Sequence, residues 1–73
     1  MALIFFSALY LLHLDLMSAI ERLPLQEREV IDLRYYKGRT QIEVSAALGI
    51  SQAQVSRLEN AAIKRLRALL VSQ

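Results

Sequence analysis

Residues 51 to 60, SQAQVSRLEN, carry the side chains in this chain best suited to reading a ligand. Gln52 and Gln54 each hold an amide that donates and accepts at once, which fits the N6 and N7 edge of adenine. Arg57 presents the fork that matches O6 and N7 of guanine, and Ala53 is small enough to meet a thymine methyl. Ser56 and Asn60 fall within the same two helical turns. Such a set is what the leading end of a helix needs when it enters a DNA major groove. Ser51 precedes the set, where its hydroxyl and the free N–H groups of a helix start can grip a phosphate; Arg39 and Thr40 are placed to grip another. Lys64, Arg65 and Arg67 follow, and for these a phosphate contact and a solvated basic face are equally good readings.

Readers of this kind work only if a second helix holds the first at a steep angle. Residues 41 to 60 supply that partner: Val44, Ser45, Leu48, Ile50, Val55 and Leu58 fall where two crossing helices must touch. Gly49 sits between them, at a left-handed turn that costs a residue with a Cβ about 1 kcal/mol or more. Thr40-Gln41-Ile42-Glu43 fits the capping box, in which the Thr hydroxyl and Glu carboxylate satisfy each other's backbone N–H groups, and Ser51-Gln52-Ala53-Gln54 repeats it. The pattern predicts a helix-turn-helix whose last helix is long, burying Val55, Leu58, Ala62, Leu66 and Leu69. Its outer face then carries Arg57, Lys64, Arg65 and Arg67.

Charge follows the same division. In residues 1 to 33, Arg22 and Arg28 stand against Asp15, Glu21, Glu27, Glu29 and Asp32, leaving −3. In residues 34 to 73, Arg34, Lys37, Arg39, Arg57, Lys64, Arg65 and Arg67 stand against Glu43 and Glu59, leaving +5. A basic half that coincides with a helix-turn-helix pattern is the electrostatic footprint of a phosphate-backbone binder.

The remaining residues argue against catalysis. A 73-residue chain is one domain with little room for a cleft. It has no cysteine, which excludes a disulfide framework and a Cys-rich zinc site and suits a reducing cytoplasm. His13 is the only histidine, beside Leu12 and Leu14, and fits a helix surface better than a metal site. No cofactor and no metal are expected, and no enzyme activity.

Residues 1 to 13 form a separate unit, an apolar arm or helix, ahead of a helix-turn-helix domain at 14 to 73. MALIFFSALYLL is too short to span a membrane, which takes about 20 apolar residues, and it lacks the flanks of a secretory signal. Packing on the domain or on a second copy, giving a homodimer, would cover it. From Leu14, the spacing of Leu16, Met17, Ile20 and Leu23 predicts a helix that Pro24 closes. Pro24 can then occupy the first position of a second helix with Glu27 and Glu29 in its opening turns, running to about Tyr36 and burying Val30, Leu33 and either Tyr36 or Ile31. Tyr35 and Tyr36 fit core or rim packing better than base stacking. Lys37-Gly38-Arg39 makes the next turn. The whole is an all-α fold, a small bundle of four or five helices with a C-terminal helix-turn-helix.

Residues 19 to 69, AIERLPLQEREVIDLRYYKGRTQIEVSAALGISQAQVSRLENAAIKRLRAL, resemble region 4 of bacterial sigma-70-type sigma factors, closest to the sporulation and general-stress branch. LP-x-x-ERE-V-x-x-LRYY resembles the first half of region 4, and GISQAQVSRLE with its basic helix the second half. The resemblance implies binding of double-stranded promoter DNA at the minus-35 element, with Gln52, Gln54, Ser56 and Arg57 as readers and Thr40 and Arg39 near phosphates. It also implies docking of the first half on the β-subunit flap of RNA polymerase, and a surface for an anti-sigma factor. Regions 2 and 3 of such factors are absent, so initiation by this chain alone is not expected. Two rivals remain: a protein-interaction module of the same fold that binds an anti-sigma factor, polymerase or itself, and a peptide anchored at a membrane interface by residues 1 to 12.

Overall fold

Pro24 separates the first two helices, because its locked φ and missing N–H exclude it from a helix interior. In a computed structural model that describes residues 15–71, the described part of helix α1 covers 15–21 and closes in a turn where Leu23 N–H donates to the Ile20 carbonyl at 3.1 Å. The expected arm at 1–13 lies outside the described residues. Helix α2, Leu25–Ile31, begins one residue later than the proline argument predicts. Pro24 is its N-cap, with φ −53° and ψ 149°, and gives its carbonyl to Arg28 N–H at 3.0 Å. Its extended ψ keeps it out of the helix while still closing the first turn.

The expected continuation to Tyr36 is present, but as a π-helical turn, Asp32–Tyr36, with Lys37 N–H reaching the Asp32 carbonyl at 3.0 Å. Of the two residues left open for the core, Ile31 is buried at 3% exposure and Tyr36 stands out at 52%. Gly38, at φ +66°, turns the chain, and Arg39 N–H donates to the Leu33 carbonyl at 2.8 Å.

Thr40 starts α3, Gln41–Leu48, with the complete capping box: Glu43 N–H donates to Thr40 Oγ1 at 3.1 Å, and Thr40 N–H to Glu43 Oε1 at 2.9 Å. Gly49 ends it at φ 68° and ψ 33°. The Ser45 carbonyl accepts from both Gly49 N–H, at 3.0 Å, and Ile50 N–H, at 3.2 Å, while Ser45 Oγ donates to the Ile50 carbonyl. A Cβ at Gly49 would meet nothing within 4 Å, so substitution there strains the backbone alone. Gly49→Ala is expected to cost about 1 kcal/mol and Gly49→Val about 2 kcal/mol, since β-branching fits the left-handed region worst. Urea unfolding of the two variants measures this, and equal midpoints with the parent chain would remove the turn from the argument.

Helix α4, Gln52–Val71, runs 20 residues. Its capping box is half made: Gln54 N–H donates to Ser51 Oγ at 3.1 Å, but among the described residues the Gln54 amide does not return the bond and is left for other partners. Two clusters bind the helices together. Val30, Val44 and Val55, each fully buried, join α2, α3 and α4, with Leu33, Leu48, Ile50 and Leu58 packed around them. Leu23, Ile31 and Ala62 form the second, with Ile20 and Leu66 against it. The expected core face of α4 is therefore the observed one, although Leu58, Leu66 and Leu69 are only half-buried. Among the described residues no helix is long and apolar enough to cross a membrane.

Candidate nucleic-acid interface

A helix buried through Val55 and Ala62 must present the opposite side to solvent, and that side holds Ala53, Arg57, Asn60 and Lys64 in steps of four, three and four. All four are exposed, as are Ser51 and Gln52 at the helix start. Gln54 and Ser56 lie half-buried at the edges of the row, on opposite flanks. Arg39 and Thr40 are exposed at the turn before α3, where Thr40 is committed to the capping box and Arg39 pairs loosely with Glu43 at 3.7 Å.

Two cations counted toward the basic half are already paired with buried carboxylates. Arg65, expected on the outer face, turns to Glu27 on α2, its Nε 3.1 Å from both Oε1 and Oε2. Glu27 is 6% exposed, and its Oε1 receives no hydrogen bond, so the arginine is the main compensation for a carboxylate that folding buries. Arg34, less exposed than Arg65, is paired as well. Its Nε donates to Glu59 Oε1 at 2.8 Å and its Nη1 to the Arg39 carbonyl at 2.9 Å.

Glu59 is the residue that sequence reasoning missed. It lies at 8% exposure on the core face of α4, and besides Arg34 it accepts from Tyr35 Oη at 3.1 Å and Gln41 Nε2 at 3.2 Å. The π turn is what lets the adjacent Arg34 and Tyr35 reach one carboxylate. The signal was present in the spacing, because Glu59 stands four residues after Val55 and three before Ala62, on the apolar stripe. Through Arg34, this carboxylate joins the reading helix to the turn that carries Arg39 and Thr40.

Burial pushes the Glu59 carboxyl up, but the hydrogen bonds from Arg34, Gln41 and Tyr35, with the Arg34 charge, hold it below the ordinary carboxylate value. Burial and then the Glu59 hydrogen bond raise the Tyr35 hydroxyl. The Glu43 carboxyl is lowered by its bonds to the Thr40 backbone and side chain. Both glutamates are more acidic folded than unfolded. Their stabilisation is thus complete above the unfolded glutamate value of about 4.3 and is lost as pH falls through the lower folded values. Thermal melts should be flat from pH 7 to about 5.5 and drop below about pH 4.5. A Glu59→Gln variant should show a shallower acid limb, and an identical limb would exclude Glu59 as its source.

Comparison with known proteins places this arrangement in context. The family described as Sigma-70, region 4 matches residues 19–68. The chain is 54% identical over 52 residues to the RNA polymerase sigma-F factor of Priestia megaterium, covering 71% of this chain and 21% of that protein. It is 49% identical over 53 residues to the sigma-G factor of Bacillus subtilis (strain 168), covering 73% and 20%, and 43% identical over 58 residues to the sigma-B factor of the same organism, covering 80% and 22%. The chain spans about a fifth of the length of these curated relatives. No solved structure matches it significantly.

Proposed function

Because the chain belongs to the sigma-70 region 4 family, we propose that it binds double-stranded promoter DNA at a minus-35 element through the first half of α4 and supports transcription initiation with RNA polymerase. The observation that carries this reading is the exposed row of Ala53, Arg57, Asn60 and Lys64 opposite the buried Val55 and Ala62. With α4 in the major groove, Arg57 and Asn60 face base edges in its second and third turns, and Gln52, Ala53, Gln54 and Ser56 meet them near its start. Ser51 with the N–H groups behind it, Arg39, Thr40 and Lys64 take phosphates and fix the register. The role is binding and positioning, without chemistry on the DNA.

The partners follow from the same reading. The relatives are named as RNA polymerase sigma factors, which supports a contact between α1–α2 and the β-subunit flap, and a place for an anti-sigma factor on the same side. A protein-interaction module of the same fold is the second reading, favoured by the exposure of Met17, Tyr35 and Tyr36 away from the row of readers.

Fluorescence anisotropy on a duplex carrying a minus-35-type element and on a scrambled duplex separates the two. Binding at least tenfold tighter to the first is expected, a difference of about 1.4 kcal/mol or more. Equal, weak binding to both would overturn promoter reading and leave the interaction module. Arg57→Ala should cost about 1 to 3 kcal/mol on the duplex with its preferred base and relax selectivity at that base pair. Equal weakening on every sequence would make Arg57 a phosphate contact instead.

A further inference from the structure

An apolar groove opens on the side of the bundle away from the readers, between α1, the π turn and the second half of α4. Leu16, Ile20, Tyr35, Tyr36, Ile63 and Leu66 line a cavity of about 390 Å³ there. Among the described residues no charged side chain lines it, whereas the adjoining cavity of about 420 Å³ beyond Ile20 and Tyr36 carries Glu21, Glu29 and Asp32. Tyr35 and Tyr36 are more than half exposed, so the groove is a surface that water wets at a cost.

The chain itself contains a segment of the matching chemistry. Eleven of the first twelve residues are apolar and none is charged, and the run ends three residues before Asp15, where α1 is already helical beside the groove. The sequence spacing Phe5, Leu9, Leu12, Leu16, Ile20 continues the stripe of α1 that faces the cavity. Only His13 and Leu14 separate the run from the described part of α1. That stretch has no Gly, Pro or Asn, the residues that tight reversals use. A second copy has no such constraint, and a two-fold axis lets each copy cover the other with the same patch.

We propose that this groove is the seat of residues 1–12 from a second copy, so that the protein is a dimer made by reciprocal exchange of its apolar N-terminal segments. The exchange covers the groove, which a lone copy leaves to water, with a segment of matching chemistry. It does not depend on what α4 reads, and its test involves no DNA.

Sedimentation velocity of the full chain across a concentration series should give a dimer. Leu9→Glu in the segment and Tyr36→Glu at an exposed position of the groove should each raise the dimer dissociation constant about tenfold or more while leaving far-UV circular dichroism unchanged. The chain has no cysteine of its own, which allows a direct check of the seating. Mixing copies that carry Leu9→Cys with copies that carry Tyr36→Cys should yield the mixed disulfide under mild oxidation. A monomer at all concentrations overturns the proposal. So does a Leu9→Cys, Tyr36→Cys double variant that closes its bridge within one chain, a dimer indifferent to Tyr36→Glu, or open-ended aggregation.

Discussion

Glu59→Ala is expected to lower the unfolding free energy by about 2 to 3 kcal/mol and to weaken DNA binding with it. Three donors from two other segments, Arg34, Tyr35 and Gln41, lose their shared acceptor at once. Breaking a fully buried ion pair costs about 3 to 5 kcal/mol, but the Arg34 side chain is 29% exposed and recovers part of its hydration, which places the effect below that range. Glu59→Gln keeps the shape and one acceptor oxygen and should fall between. Urea denaturation measures both variants, and an alanine variant as stable as the parent would remove Glu59 from the account of how α4 is held. The DNA effect follows because the same carboxylate holds Arg34, whose second nitrogen holds the Arg39 carbonyl at 2.9 Å.

Val55→Asp should act more severely, by about 4 kcal/mol or more, because it puts an unpaired carboxylate at a fully buried point where α2, α3 and α4 meet. A single core in a chain of 73 residues rarely supplies more than about 3 to 5 kcal/mol, so this variant is expected to sit near or below its unfolding midpoint at 25 °C. Arg57→Ala, two residues along on the exposed side, should leave the far-UV circular dichroism of the parent intact. A folded Val55→Asp would mean that α4 does not bury the side assigned to it, and the row of readers would have to be reassigned.

What the sequence disclosed here was whatever depends on neighbours within a turn or two. Thr40 and Glu43 bond to each other three residues apart, and Gly49 takes its left-handed turn for reasons local to its own backbone, so the start of α3 and its end could be read from residue types. The apolar stripe of α4 could be read from spacing. The carboxylate networks could not, since Arg34 and Glu59 are 25 residues apart and Arg65 and Glu27 are 38 apart, and no local pattern says which charges will meet. Arg65 is solvent-exposed, as its spacing predicts, but its head group is paired with the buried Glu27, a contact that no local pattern announces. The π turn escaped as well, because one extra residue in a turn leaves the apolar period of a helix nearly unchanged.

The pairing of Arg34 with Glu59 and of Arg65 with Glu27 also sets how the proposed DNA binding should respond to ionic strength. A cation already neutralised by a carboxylate displaces no counterion when DNA arrives, so it adds nothing to the slope of log affinity against log salt. Seven basic residues in the second half of the sequence would suggest a slope of about −6 at about 0.9 per phosphate. Among the described residues, Arg57, Lys64 and Arg67 remain without a carboxylate partner, and Lys37 and Arg39 are held only by loose exposed pairs with Asp32 and Glu43, which brings the slope to about −3 to −4.5. For the proposed DNA complex this means a loss of affinity of about 60- to 500-fold for a fourfold rise in salt, against about 4,000-fold for a slope of −6.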